Sequence, residues 1–247
     1  MSDYARARWV PSPNFWSGRN GMQIAGIVLH GTAGPGAVQW FQQSKSQVSA
    51  HYVVGEDASV TQCVREADSA WHNGVVSPSS PFAGRPNPNY WTIGIEHERN
   101  TANDNPMPSA QIEASCALVR DIHSRHGHLP IYTHDQFNIG RTCPGPGFPL
   151  QSFLDLERQP TWVSFTAKAM HIPLGFYGDA DFATHLYDSS ARQGSVIQFD
   201  AWTFGEAVMD PATGRPDRRW YHRHNPAGQE GWTPSAWVDG NAPHSQP

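Results

Sequence analysis

The distribution of apolar residues changes near position 157 of this 247-residue chain. Up to that point, short apolar runs typical of strands alternate with segments of helical periodicity, which predicts an α/β fold with a mixed central sheet flanked by helices. Beyond it, helical periodicity disappears and short strand-like runs alternate with Gly, Pro and Asp turns, which predicts a small all-β barrel. We therefore expect domains at 1–157 and 172–247, joined by a linker at 158–171.

The first domain has a recognisable order of strands and helices. Apolar runs predict strands at 25–30, 51–54, 59–64, 92–98 and 129–134, and apolar stripes or short apolar segments predict helices at 37–43, 110–126 and 150–157. In the strand at 92–98, Ile93 and Ile95 face one way and Glu96 faces the other. This alternation predicts that one face of the strand is buried and the other is exposed.

The composition excludes several classes of partner. The 17 basic residues are outnumbered by 22 acidic ones, and no basic patch marks a nucleic-acid interface. No apolar run approaches the roughly 18 residues of a membrane-spanning helix, and residues 1–15 lack the apolar core of a secretory signal. We therefore expect no membrane insertion, accumulation in the cytoplasm and, with three cysteines, no disulfide framework.

Two of the thirteen histidines stand out by their position. His30 and His134 each close an apolar strand, where a side chain can project from the edge of the sheet, and Cys143 follows in a Gly/Pro-rich turn. Two imidazoles and one thiolate are a plausible ligand set for zinc with a fourth position open to water. The spacing alone is weak evidence for a metal and favours the alternative, ordinary core or surface histidines and an inert buried thiol.

Ordered motifs between about residues 24 and 150 narrow this choice. They are 27–32 (IVLHGT), 48–54 (VSAHYVV), 70–74 (AWHNG), 92–96 (TIGIE), 132–134 (YTH) and 141–145 (RTCPG). Together they resemble the type-2 N-acetylmuramoyl-L-alanine amidase family, which includes phage lysozyme-amidases and peptidoglycan-recognition proteins. The resemblance implies hydrolysis of the amide bond between N-acetylmuramic acid and L-alanine in bacterial peptidoglycan, with Zn²⁺ as cofactor.

The resemblance also implies roles for individual residues. The zinc ligands of the family fall on His30, His134 and Cys143, and a glutamate beside the metal falls on Glu96, the expected general base. Arg141 stands where many members have lysine, and we expect it to stabilise the oxyanion. The alternatives for these last two residues are an exposed strand glutamate and a loop arginine.

Further residues are implied to contact the substrate. Trp71 and His72 match a substrate-groove motif of the family, and Thr32 ends the first histidine motif, so we expect all three to line the groove. Trp71 would serve equally well as a core residue. Ala50 stands where some members carry a tyrosine, which argues against a tyrosine-assisted mechanism and leaves Glu96 as the base.

The end of the chain has a resemblance of its own. Segments 219–223 (RWYHR) and 229–238 (QEGWTPSAWV) resemble the closing strands of a bacterial SH3-like domain, a kind of module that accompanies cell-wall hydrolases. We expect Trp220, Tyr221 and Trp237 to bind the cell wall by stacking. The alternative is that such aromatic side chains fill the core of the barrel.

These features predict a particular biological setting. A wall-binding module without a secretory signal favours a monomeric phage or prophage endolysin, cytoplasmic until host lysis and bound to the cell wall afterwards. The alternatives are a cytoplasmic amidase that recycles muropeptides, a non-catalytic peptidoglycan-recognition protein, and a zinc peptidase that cuts within the stem peptide.

Overall fold

The computed structural model of the chain describes residues 2–99, 106–157, 160–170, 174–183, 185–223, 231–243 and 245. The chain divides into two compact units. The first consists of Met1–Ile122 and Leu129–Phe153, and the second of His123–His128 and Leu154–Pro247. The predicted domain limits at 1–157 and 172–247 stay a prediction.

The elements predicted before residue 157 all appear in the predicted order, and three short strands that were not predicted join them (Arg8–Trp9, Phe15–Trp16 and Ser69–Ala70). The strands are β1 (Arg8–Trp9), β2 (Phe15–Trp16), β3 (Gly26–Gly31), β4 (Tyr52–Val54), β5 (Val60–Gln62), β6 (Ser69–Ala70), β7 (Thr92–His97), β8 (Ile131–Thr133), β9 (Thr161–Ala169), β10 (Leu174–Tyr177), β11 (His185–Ala191), β12 (Val196–Met209), β13 (Pro216–Arg223), β14 (Gly231–Pro234) and β15 (Val238–Asp239). The helices are α1 (Ala37–Phe41), α2 (Ser109–His126) and α3 (Leu150–Glu157), with 3-10 turns at Ser44–Ser46, Pro88–Tyr90, His134–Gln136 and Ser235–Trp237.

The first unit is built on a six-stranded sheet in the order β1-β5-β4-β7-β3-β8. Strand β3 runs parallel to β7 and β8, β4 runs parallel to β7, and β4 runs antiparallel to β5. The mixed α/β sheet is therefore confirmed. Its central strands supply the core through fully buried Ile27, Leu29, Ile93 and Ile95, each worth roughly 1.5–3 kcal/mol of burial.

The prediction that β7 is buried on only one face is wrong. Thr92 is fully buried and Gly94 is also buried, although both lie on the face expected to be exposed. The ring of His72 packs so closely on Gly94 that a Cβ atom there would lie 2.6 Å from His72 Nδ1. A second layer of histidines covers this face, which the alternation within β7 does not reveal.

His51 belongs to this layer and bonds to the backbone at both ring nitrogens. The N–H of Gly94 donates to His51 Nδ1 at 3.0 Å, and His51 Nε2 lies 2.9 Å from Arg19 Nη2 and 3.2 Å from the carbonyl oxygen of Asp68. Burial, and then the charge of Arg19, lower the pKa of His51 to about 3. His51 is therefore a neutral structural residue.

The second unit contains a seven-stranded sheet in the order β11-β10-β14-β13-β12-β9-β15, in which all pairs are antiparallel. The all-β prediction is confirmed, whereas the SH3-like class stays a prediction. Residues Thr161–Ala169 of the predicted linker form strand β9 instead. Phe165 and Ala167 of this strand are buried while Trp162 is exposed, so it has the period of two that a half-buried strand requires.

The described parts of the chain contain no helix with the length and apolar character needed to cross a membrane.

Candidate metal centre and active site

The candidate site lies where parallel strands of the first unit end. His30 is the last residue but one of β3, and its partner in the ladder to β7 is Glu96. His134 begins the 3-10 turn that follows β8, the other neighbour of β3. Because parallel strands end at the same edge of a sheet, these three side chains meet there.

Cys143 completes the cluster from the turn after His134. One ligand atom from each of His30, His134 and Cys143 lies within 4.8 Å of the others. The Sγ atom of Cys143 is 3.7 Å from His30 Nδ1 and 3.4 Å from the backbone nitrogen of Gly31. The structure thus brings together the three residues expected to bind zinc.

The orientation of His134 leaves one nitrogen available. Its Nε2 atom donates to the carbonyl oxygen of Asn73 at 3.0 Å, so Nδ1 keeps its lone pair. Burial lowers the pKa of His134, and the charge of Arg141 adds to this effect, so the ring is neutral. A neutral imidazole whose other nitrogen bonds to a carbonyl is the usual state of a metal ligand.

The orientation of His30 is fixed by a directed chain of hydrogen bonds. The hydroxyl of Thr92 donates to the carbonyl of Pro88 at 2.7 Å, so its oxygen accepts from His72 Nε2 at 3.2 Å. His72 Nδ1 then accepts from His30 Nε2 at 3.0 Å. The remaining lone pair of His30, on Nδ1, faces Cys143. Burial is the largest cause that lowers the pKa of both histidines well below 6.5, which keeps them neutral.

Two acidic groups in the site have raised pKa values that a nearby cation would lower. Burial raises the pKa of Glu96 to about 8, and its Oε2 atom is buried with no hydrogen-bond partner among the described residues. Burial, followed by the charge of Glu96, raises the pKa of the Cys143 thiol to about 12. A cation between the ligands would stabilise both anions, so the residues fit a zinc ion.

Arg141 lies near the site and is exposed. Its backbone N–H donates to the carbonyl of Asn138 at 3.1 Å, which holds the turn that leads to Cys143. Its charge contributes to the lowered pKa of His134 and opposes the rise in the pKa of Cys143. The structure therefore places a cation close to two of the expected ligands.

The residues expected to contact substrate have different surroundings. His72 is buried and uses both ring nitrogens inside the protein, which favours a role in positioning His30. The hydroxyl of Thr32 donates to the carbonyl of Gly34 at 2.6 Å and is engaged within its own loop. Trp71 is half-buried, and its ring centroid lies 5.4 Å from that of Trp16. Their contacts with substrate stay predictions.

The aromatic residues expected to bind the cell wall need a correction. Trp220 and Tyr221 are both 0% exposed, because β13 is covered on one face by the cluster around Phe199 and on the other by the cluster around Tyr177. They belong to the core and have no free face for stacking. Trp237 is half-buried and packs against both clusters.

Sequence reasoning did not assign the groups that orient the ligands. Asn73 and Thr92 lie within the motifs 70–74 and 92–96 and received no role. The position of these polar residues inside the motifs could have suggested a role for them. Asn73, however, acts through its backbone carbonyl, and a sequence does not show which backbone carbonyls accept hydrogen bonds from side chains.

Comparison with known proteins identifies the family of the chain. The family described as N-acetylmuramoyl-L-alanine amidase matches residues 20–146. N-acetylmuramoyl-L-alanine amidase A of Achromobacter lyticus is 33% identical over 151 residues, which cover 59% of this chain and 72% of that protein. The 1,6-anhydro-N-acetylmuramyl-L-alanine amidase AmpD of Haemophilus influenzae is 33% identical over 124 residues, or 42% of this chain and 64% of that protein.

A solved structure shows the same fold. The crystal structure of a selenomethionine derivative of AmpD has a TM-score of 0.55 and 25% identity to this chain, and the match covers 63% of this chain and 97% of that one. The prediction of an enzyme, against that of a non-catalytic recognition protein, is confirmed. The chain belongs to the N-acetylmuramoyl-L-alanine amidase family and is itself an N-acetylmuramoyl-L-alanine amidase.

Proposed function

We propose that the amidase is zinc-dependent and that His30, His134 and Cys143 hold the metal. The observation that supports this proposal most strongly is the pairing of each imidazole. One nitrogen of each ring points at the cluster within 4.8 Å of the other ligand atoms, and the other nitrogen bonds to Asn73 or His72. Such outer partners are the usual accompaniment of ligand histidines.

The reaction is hydrolysis of the amide between the lactyl group of N-acetylmuramic acid and L-alanine. Zinc supplies Lewis acidity, which polarises a carbonyl group and makes water easier to deprotonate. Glu96 takes the proton from water and returns it to the leaving amine. Burial raises the pKa of Glu96 and a bound zinc ion would lower it, and a base with a pKa near the working pH can both take up and release a proton. Arg141 places a positive charge near the developing oxyanion.

The test is mass spectrometry of fragments released from purified sacculi. Wild type should release complete stem peptides with a free N-terminal L-alanine. Glu96→Gln should slow release about 10²–10⁴-fold with unchanged zinc content. Glu113→Gln, an exposed change on α2, is the matched control and should be silent. Fragments cut within the stem would instead show a zinc peptidase, and full activity in Glu96→Gln would exclude Glu96 as the base.

We further propose that the amidase acts as a phage or prophage endolysin on intact cell walls, after accumulating in the host cytoplasm. A second unit with its own core supports this role, because a small soluble substrate needs no such unit. We expect that unit to bind the cell wall, as an SH3-like module would, and the protein to be a monomer.

The second candidate is a cytoplasmic amidase that recycles muropeptides. The similarity to AmpD, which is named for a 1,6-anhydro-N-acetylmuramyl-L-alanine substrate, favours it. A fall in the turbidity of a suspension of intact sacculi would support the endolysin. Activity confined to soluble anhydromuropeptides decides for recycling.

A further inference from the structure

One tryptophan of the second unit lies open to solvent. Trp162 on β9 is 68% exposed, whereas Trp202, Trp220 and Trp232 are all buried. Single exposed apolar residues are common and mean little alone. The exposure of Trp162 becomes informative because polar side chains lie near its ring.

The cross-strand partners of Trp162 place a histidine beside it. Ala201 on β12 pairs with Trp162 on one side and with His222 on the other, so the three residues form a row across the sheet. The small side chain of Ala201 leaves room for the two rings, whose centroids lie 5.7 Å apart with an interplanar angle of 77°. His222 in turn lies 4.8 Å from the buried ring of Trp232, which fixes it from behind.

An irregularity in the same strand pair adds a carboxylate. The register of β9 against β12 shifts between Phe199 and Ala201, and Asp200 lies at the shift. In a regular strand Asp200 and Ala201 point to opposite faces. Here Asp200 Oδ1 accepts from Nδ1 of His222, the cross-strand partner of Ala201, at 2.7 Å. Irregularities of this kind commonly re-aim a side chain towards a functional site.

We propose that Trp162, His222 and Asp200 form a saccharide-binding site. An exposed indole offers a flat apolar face to the C–H face of a pyranose ring, and a carboxylate accepts hydrogen bonds from its hydroxyl groups. The side chains of Asp200 and His222 are 27% and 11% exposed, so both are held in place and reachable. The hydroxyl groups of a neutral sugar match a site in which an indole face lies beside an imidazole and a carboxylate that are already hydrogen-bonded to each other.

The occupant that we infer is a sugar ring of the peptidoglycan glycan strand, and this identity rests on the amidase function. The site would hold the enzyme on the polymer. It needs no contact with the metal centre, so its failure and the failure of zinc-dependent hydrolysis can be told apart by separate measurements.

The experiment uses the full chain freed of metal, so that no hydrolysis accompanies binding. Calorimetry measures the affinity for chitotetraose, a β-1,4 tetramer of N-acetylglucosamine, and sedimentation measures binding to sacculi. Trp162→Ala should weaken both at least about tenfold, as loss of an aromatic anchor does. Trp162→Phe should recover part of the affinity. Val196→Ala, at a 72% exposed position of β12, should change nothing.

The zinc-loaded proteins provide the separate measurement. Trp162→Ala should hydrolyse a small soluble muropeptide at the wild-type rate, which shows that its first unit is intact. Equal affinity of Trp162→Ala and wild type for chitotetraose overturns the proposal. The proposal is also overturned if the wild-type protein does not bind chitotetraose but binds a free stem peptide.

Discussion

At the scale of single residues, the site depends on which nitrogen of each histidine carries its proton. Asn73 fixes His134, and the chain through His72 and Thr92 fixes His30. The expected ligands could be named from the sequence because all three lie in motifs, and the two histidines lie at the ends of predicted strands. The groups that orient them could not, because one is a backbone carbonyl and the other a histidine that resembles a substrate contact.

The role of His72 as a positioning residue can be measured through zinc affinity. His72→Phe removes the acceptor for His30 Nε2, and we expect zinc to bind about 10–100-fold more weakly. His72→Gln keeps an acceptor and a donor and should recover part of the loss. Chelator competition gives the affinity, and the absorption spectrum of the cobalt-substituted protein reports ligand geometry. Wild-type affinity in His72→Phe would show that the bond does not position the ligand.

At the scale of elements, strand β7, which holds Glu96, was only partly predicted. Its position and length follow from its apolar alternation, whereas its second buried face depends on His51 and His72 from distant segments. Strand β9 was missed because it lies at the change of pattern, although Phe165 and Ala167 alternate with exposed neighbours. In both cases the burial of the strand depends on residues that are distant in sequence, so the local pattern of apolar residues does not reveal it.

The close approach of Gly94 to His72 leads to a stability prediction. Gly94→Ala places a Cβ atom 2.6 Å from His72 Nδ1, and such overpacking typically costs about 1–3 kcal/mol. Urea unfolding of the metal-free protein measures the cost. In a His72→Ala background the cost should shrink, because the clashing ring is gone. An equal cost in both backgrounds would show that another contact is responsible.

His51 predicts how stability depends on pH. Its pKa is lowered from 6.5 to about 3 in the folded state, so the unfolded chain binds the proton first as the pH falls. This contribution to stability is complete above pH 6.5 and is lost as the pH falls towards 3. His51→Gln should reduce the proton uptake on unfolding by about one between these limits. Unfolding free energies of both proteins at several pH values test this, and identical slopes would contradict it.

At the scale of the whole molecule, the chain has two units with separate cores, to which we assign separate tasks. The fold and family of the first unit could be predicted from the sequence, because the ordered motifs that resemble the family all lie within this unit. The second unit was predictable only as all-β, since most of its described aromatic residues serve the core and Trp162, which is exposed, lies in the predicted linker.

This division predicts an uneven response to zinc in calorimetry. All three expected ligands belong to the first unit, so zinc at about 100 times its Kd should stabilise that unit by about 2.7 kcal/mol. We expect two thermal transitions, of which only one moves upward. Scans of metal-free and zinc-loaded protein test this, with Cys143→Ala as the variant that should abolish the shift. Equal shifts of both transitions would contradict the assignment of the metal to the first unit.

The most direct test of zinc-dependent amidase action is a titration of the metal-free chain with zinc during digestion of sacculi, followed by mass spectrometry. Release of complete stem peptides should be absent without metal, rise in proportion to added zinc and stop rising at one zinc per chain. Undiminished release of the same peptides by the metal-free chain would contradict the account.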